Sequence, residues 1–118
     1  MALFANIVIA VVALLHMYFL VLEMFLWDKP FGLRIFRMTQ EVAQTTKTLA
    51  ANQGLYNGFL AAGLFWSLIL GTEGTHIKVF FLTCVLVAGL YGAATVGRKI
   101  LFIQALPAAI GLILLVTS

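Results

Sequence analysis

The chain is 118 residues long, with 64% hydrophobic and 9% charged residues, and its mean hydropathy is +1.12. Because a soluble domain carries about 25% charged residues, this composition excludes an ordinary soluble enzyme and indicates an integral membrane protein surrounded by membrane lipids. The net charge of +3 does not indicate a nucleic-acid partner, since no basic cluster is interleaved with exposed aromatic residues.

Four apolar stretches, over residues 3–27, 50–70, 77–96 and 100–116, occupy most of the chain. A membrane-spanning helix needs about 20 mainly apolar residues. The first stretch is too long for the core of a cleaved signal peptide and has no basic residue before it, so it is expected to be a retained span. Short connections make the later spans antiparallel neighbours. The sequence therefore predicts an all-α fold, a four-transmembrane-helix bundle forming a single domain over residues 1–118.

The basic residues predict how the bundle is oriented. Six of the seven lie in the first and third connections, and only Lys78 flanks the second. The six are Lys29, Arg34, Arg37, Lys47, Arg98 and Lys99. Because Lys and Arg concentrate in cytoplasmic loops, these two connections are expected on the cytoplasmic side and both chain termini outside.

The first connection, residues 28–49, is the only sizeable segment between predicted spans. Pro30 is expected to stop the first helix, because the residue before a proline is pushed out of the α region. Residues 31–38 mix apolar side chains with Arg34 and Arg37, which is typical of a short amphipathic helix at the membrane interface. The polar residues 39–48 are expected to form a helical run-up that continues into the second span.

Small residues recur at every fourth position in the second and third spans. The two stripes are Gly54, Gly58 and Ala62, and Gly89, Ala93 and Gly97. Such spacing lets helix backbones approach closely, either within one chain or between subunits. Because four short helices enclose little interior, we expect a homo-oligomer.

Polar side chains within the spans lie at similar depth near the cytoplasmic face. At ~1.5 Å rise per residue they lie roughly 6 to 10 Å from the ends of the spans, and the amides of Asn52 and Gln53 lie at the entrance. The set comprises Glu23, Asn52, Gln53, Tyr56, Asn57, Tyr91 and Gln104. Amides in spans often bond neighbouring helices, so these residues form either interhelical hydrogen bonds or a ligand site. Their number favours a ligand site.

Glu23 and His16 lie seven residues apart and share one stripe of the first span. An ionisable residue inside a span costs about 2.5–3.5 kcal/mol and normally faces a partner or water. Glu23 is either functional or an interfacial carboxylate paired with Lys29 or Arg98. His16 is a ligand contact, a proton-relay partner of Glu23 or a packing residue. The spans contain no second histidine, so we expect no metal site, and no cofactor or catalytic residue is assigned.

Motifs of soluble enzymes are absent from the sequence, including nucleotide-binding glycine loops and the HExxH zinc motif. The segments Glu23-Met24-Phe25, residues 52–58 (NQGLYNG), residues 89–92 (GLYG) and residues 104–108 (QALPA) resemble a small bacterial membrane family, domain of unknown function 1304. The resemblance covers nearly the whole chain. It implies a multi-pass protein of the bacterial cytoplasmic membrane and no established activity.

Residues 53–57 followed by an apolar run, and Gln104 with Pro107, are also similar to motifs of the membrane-associated eicosanoid and glutathione metabolism superfamily. That resemblance implies four spans, outside termini and a trimer with sites between subunits. Tyr56 stands where that family has a glutamate, and the arginines expected to bind glutathione's carboxylates are missing, with Lys47 alone remaining. The similarity therefore favours the architecture over a glutathione-dependent reaction.

Two further function classes compete. Small multidrug exporters also place one glutamate in the first of four spans, but theirs lies deeper and their charge bias is weaker than the six-to-one bias here. A purely structural membrane protein would use the polar residues only to hold helices together. We expect a pocket open to the cytoplasmic leaflet that binds a small amphipathic or lipid-like molecule.

Overall fold

The computed structural model describes residues 2–118, and this part of the chain is all-α with no β-strand. The helices are α1 (Ala2–Met24), α2 (Pro30–Phe36), α3 (Gln40–Leu70), α4 (Thr75–Thr95) and α5 (Leu106–Val116). A 3₁₀ turn over Gly71–Gly74 joins α3 to α4, and a π-helical segment over Leu101–Ala105 leads into α5. The predicted all-α class with four main helices, α1, α3, α4 and α5, is confirmed.

The boundaries of the first connection follow from local hydrogen bonding. α1 ends at Met24, short of the predicted residue 27, where the amides of Phe25 and Leu26 both bond to the Val21 carbonyl oxygen at 3.0 and 3.1 Å. Pro30 therefore starts α2 rather than stopping α1, in the first turn of a helix where its missing N–H costs nothing. Arg37 ends α2 in the left-handed conformation, with φ 51°.

The polar run-up to the second span is confirmed as the first turns of α3. The Thr39 hydroxyl accepts a hydrogen bond from the Val42 amide at 3.2 Å, which caps the helix start. From Gln40 the helix runs without interruption to Leu70.

The chain divides into two compact units. Residues 15–59 form what we call the central unit, and residues 60–118 with the N-terminal part of α1 up to Leu14 form the terminal unit. The core of the terminal unit consists of fully or almost fully buried apolar side chains from four helices. They are Ile9, Val12, Ala13, Leu64, Leu82, Val85 and Ala108.

The π-helical segment gives the last helix an irregular start. The Leu106 amide bonds to the Leu101 carbonyl oxygen, five residues back instead of four. Pro107 follows directly and has no N–H with which to continue the regular ladder. On α4, a Cβ added to Gly89 would lie 2.5 Å from the Ala105 backbone nitrogen, so glycine is what lets α4 approach this segment.

Close packing within the chain accounts for several of the small residues. In the central unit, a Cβ at Gly54 would lie 2.7 Å from Met24 Cγ, and one at Gly58 would lie 2.6 Å from Leu20 Cδ1. By contrast, Ala62 is exposed and nothing lies within 4 Å of a Cβ placed on Gly97. The intrachain interpretation thus holds for Gly54, Gly58 and Gly89.

Candidate functional site

A buried carboxylate–amide pair forms the centre of the candidate site. Asn57 Nδ2 of α3 donates a hydrogen bond to Glu23 Oε1 of α1 at 2.5 Å. Glu23 is only 7% exposed and Asn57 9% exposed. The bond joins α1 to α3 within the central unit.

Gly54, one turn before Asn57 on α3, lets α3 approach α1 closely in the central unit. A Cβ at this position would lie 3.1 Å from Glu23 Cβ and 3.3 Å from the Leu20 carbonyl oxygen. The glycine and the asparagine are three residues apart and share one face of α3. This spacing places the helix backbone and the amide side chain against the same stretch of α1.

His16 is the second polar side chain of the α1 stripe, and it is fully buried. Its ring meets Phe19 edge-on, with centroids 5.2 Å apart and the planes at 71°. It does not form part of a metal cluster, since residues 2–118 contain no group of three or more His, Cys, Asp or Glu side chains placed to hold an ion.

The side chains of the other predicted residues of α3 are exposed. Asn52 donates to the Thr48 carbonyl oxygen of its own helix at 3.1 Å, and Gln53 is exposed. Tyr56 is 65% exposed and contacts Phe59 edge-on. These three side chains are therefore available to lipid or a ligand but do not join the buried pair.

Tyr91 and Gln104 belong to the terminal unit. Tyr91 is 71% exposed and borders a shallow groove of about 550 Å³ along α4 that also includes Phe80 and Cys84. Gln104 is half-buried within the π-helical segment. π-helical turns inside α-helices occur frequently at functional sites, and Pro107 was the only sequence signal for this one.

Sequence reasoning missed a second buried charge. Lys78 Nζ donates to Asn6 Oδ1 at 3.0 Å, and Lys78 is only 4% exposed. The sequence had placed this lysine beside the second connection, whereas it is the fourth residue of α4 and lies against α1 within the terminal unit. The signal that could have found it is a lone lysine at the start of an apolar helix with an asparagine near the opposite end of the chain.

Polar contacts anchor the first connection to the run-up of α3. Lys47 Nζ forms an ion pair with Asp28 Oδ2 at 2.9 Å, and Gln44 donates to the same oxygen at 3.2 Å. Trp27 Nε1 donates to the Thr46 hydroxyl at 3.0 Å. The hydrogen bond from Lys47, with a smaller contribution from Gln44, holds the pKa of Asp28 below its ordinary value.

These features define a small all-α protein with two helical stretches long and apolar enough to cross a membrane, Ala2–Met24 and the continuous stretch Gln40–Thr95 that contains α3 and α4. The chain belongs to the family described as "Protein of unknown function (DUF1304)", which matches residues 10–116. The family membership predicted from the sequence is thus confirmed.

A relative from Lactococcus lactis subsp. lactis (strain IL1403), described as "Uncharacterized protein YpaA", is 32% identical over 95 residues, covering 79% of this chain and 80% of that protein. No solved structure matches the chain. The comparisons do not show the more distant similarity to the eicosanoid and glutathione metabolism superfamily.

Proposed function

We propose that the chain is a multi-pass protein of the bacterial cytoplasmic membrane whose Glu23–Asn57 pair binds a small amphipathic or lipid-like molecule. Membrane insertion is supported by where the apolar surface lies. In the most apolar 18-residue segment of α1, only 33% is buried. In the corresponding segment of Gln40–Thr95, only 22% is buried. A core helix of a soluble protein would be mostly buried, and large contiguous exposed apolar surface marks contact with lipid or a partner.

Glu23 carries the ligand hypothesis. Its carboxylate is buried in an apolar helix, and the partner that the structure shows is a neutral amide. A buried charge normally has an opposite charge beside it. A carboxylate can accept several hydrogen bonds at its two oxygens, so a ligand carrying an ammonium group would complete the site and balance its charge.

Gln53 supports a route to this site from the membrane surface. It lies one turn from Asn57 on the same face of α3 and is exposed, whereas Asn57 is buried. The headgroup of an amphipathic molecule would meet the Gln53 amide first and the buried pair second. Its alkyl chain would lie against the exposed apolar side chains of α3, including Leu55 and Phe59.

Orientation is tested by a reporter fused after Ser118. With six of seven basic residues in the first and third connections, the positive-inside rule places this end outside. A periplasmic alkaline phosphatase fusion should be active and a fluorescent protein that folds only in the cytoplasm should be dark. The reverse pattern would place the Glu23–Asn57 pair at the opposite face and remove the proposed cytoplasmic opening.

Binding is tested by thermal unfolding in a nonionic detergent with dodecylamine as the cationic probe and dodecan-1-ol as its neutral counterpart. Dodecylamine should stabilise the parent and the control Glu41→Gln, which removes an exposed carboxylate of the same unit. In Glu23→Gln the amine concentration for half the effect should rise by about tenfold or more, the factor for losing a hydrogen bond to a charged group. Equal responses in Glu23→Gln and parent would refute the ligand role and leave the pair as an interhelical bond.

Native mass spectrometry of the parent from a gentle detergent addresses the proposed homo-oligomer and the ligand together. A mass equal to several chains would support subunit association, and a retained small mass that disappears in Glu23→Gln would support the site. A single chain without adduct would contradict both proposals.

A further inference from the structure

The terminal unit contains a cleft with a polar side and an apolar side that the proposed function does not use. Its volume is about 340 Å³, within the ~300–1,000 Å³ usual for small-molecule sites. Asn6 of α1, Thr72 of the 3₁₀ turn and Thr75 and Lys78 of α4 line it on the polar side. Leu115 near the end of α5 provides an apolar wall.

Lys78 gives the cleft its charge. The ammonium group has three N–H donors, and Asn6 Oδ1 accepts one of them at 3.0 Å. This lysine is only 4% exposed, and burying an ammonium group is costly unless an anion or several acceptors compensate. Among the described residues, the single ion pair joins Lys47 to Asp28 in the central unit. Lys78 therefore has no anionic partner among them, and its hydrogen-bond partner is the neutral amide of Asn6.

The neighbouring groups add neutral hydrogen-bond donors. Because Asn6 uses its oxygen to accept from Lys78, its Nδ2 group keeps two N–H donors for another partner. The Thr72 hydroxyl can also donate, whereas the Thr75 hydroxyl already donates to the Thr72 carbonyl oxygen at 2.9 Å. Glu73 of the same turn is exposed and does not line the cleft, whereas Ser118, the last residue of the chain, does.

We propose that this cleft binds a phosphate group, with Lys78 as the charged donor and Asn6 and Thr72 as neutral donors. Lysine binds phosphate as a point charge, and the amide and hydroxyl complete its hydrogen bonds. The phosphate comes either from a lipid headgroup, whose glycerol and acyl part would lie along Leu115, or from free phosphate. The site is independent of Glu23, which lies in the other unit.

The experiment follows thermal unfolding of the purified full chain in nonionic detergent. Dioleoyl phosphatidylglycerol is compared with dioleoylglycerol, which has the same chains without phosphate, and inorganic phosphate is compared with sodium chloride at equal ionic strength. Stabilisation by the phospholipid alone supports the lipid source, and stabilisation by inorganic phosphate as well supports a free phosphate site. No stabilisation by either would overturn the proposal.

Variants distinguish phosphate binding in the cleft from non-specific attraction of phosphate to a positively charged protein. Lys78→Gln keeps a side chain that can bond Asn6 but removes the charge, and should weaken the response about tenfold or more. Lys78→Arg should retain it, and so should Lys99→Met, which removes an exposed lysine from the third connection. If Lys78→Gln does not fold, Thr72→Val at the exposed rim takes its place and should weaken the response several-fold. A parent-like response in Lys78→Gln, or in Thr72→Val where that variant replaces it, overturns the proposal.

Discussion

The central and terminal units each bury one ionisable side chain against one asparagine. The asparagine donates the hydrogen bond in the central unit and accepts it in the terminal unit. In the central unit, Asn57 donates its amide N–H to the Glu23 carboxylate. In the terminal unit, Asn6 turns its amide oxygen to the Lys78 ammonium. An amide can donate or accept, so an asparagine in an apolar helix can partner a charge of either sign. Its presence marks a candidate polar site without revealing the sign of the charge.

Two glycines at helix contacts, one in each unit, differ in what surrounds them. At Gly54 of the central unit, the nearest atom to an added Cβ belongs to the Met24 side chain. At Gly89 of the terminal unit, the two nearest atoms are the backbone nitrogen and Cα of Ala105. Side chains can change rotamer to make room, whereas the backbone of a packed helix cannot. We therefore expect Gly89 to tolerate added volume less well than Gly54.

Substituting these glycines should give a large effect at Gly89 and a smaller one at Gly54. Overpacking costs about 1–3 kcal/mol, and replacing a mid-helix glycine by alanine returns roughly 1 kcal/mol of helix propensity. Gly89→Ala should lower the free energy of unfolding clearly, because the Cβ would lie 2.5 Å from the Ala105 nitrogen. Gly54→Ala should lower it less, because the nearest contact is the Met24 side chain, which can move, and the Leu20 backbone oxygen lies farther away at 3.3 Å.

Reversible unfolding in mixed micelles of dodecyl maltoside and sodium dodecyl sulfate measures these differences. Gly97→Ala is a control for the substitution at a position without contacts, since Gly97 follows the end of α4 and nothing lies within 4 Å of its added Cβ. Equal losses in Gly54→Ala and Gly89→Ala would show that the two helix contacts are equally rigid and would remove the contrast between these two positions.

The Glu23–Asn57 bond should give an effect of at least comparable size. Asn57→Ala leaves a buried carboxylate without its donor, which costs about 1–3 kcal/mol or more. In a Glu23→Gln background the same change removes a bond between neutral groups, and should cost only ~0.6 kcal/mol, the average for interhelical hydrogen bonds in membranes. The difference is the part contributed by the charge, and a double-mutant cycle by the same unfolding measurement gives it. Equal costs in both backgrounds would mean that Glu23 is neutral in the folded protein.

Hydropathy predicted the main helices well because each coincides with a long apolar run. The four apolar stretches predicted the number of main helices, and the polar residues 39–48 predicted the start of α3. The end of α1 was misplaced because an apolar run continues beyond Met24 although its backbone bonding changes at Val21. The π-helical segment before Pro107 was equally hidden, since it is a choice of hydrogen-bond partner and leaves the hydropathy unchanged.

The candidate site was harder to predict because depth along a helix does not give rotation about its axis. Glu23 and Asn57 meet, whereas Tyr56, next to Asn57 in the chain, is exposed. Lys78 escaped notice for a different reason. It was interpreted only as a basic residue that flanks a connection, although its ammonium group is buried against Asn6.

The smallest predicted effect concerns the exposed side of the central unit and depends on pH. The contact with Lys47 lowers the pKa of Asp28 in the folded protein, so the unfolded state binds the proton more readily. The resulting stability is fully present above the ordinary Asp pKa of about 3.9 and is lost as pH falls through the lower folded value. The unfolding temperature measured from pH 6 down to pH 3 should therefore fall less in Asp28→Asn than in the parent.

Two companion variants identify the cause of this acid loss. Lys47→Met removes the partner and should flatten the acid limb as Asp28→Asn does, whereas Lys29→Met, which removes the adjacent exposed lysine, should leave it as in the parent. Because Lys47 is 52% exposed, salt at 1 M, where the screening length is ~3 Å, should shrink the difference between parent and Asp28→Asn. If the unfolding temperature falls equally with acid in parent, Asp28→Asn and Lys47→Met, this ion pair does not help to hold the first connection against α3. The Trp27–Thr46 hydrogen bond would then be the contact that does so.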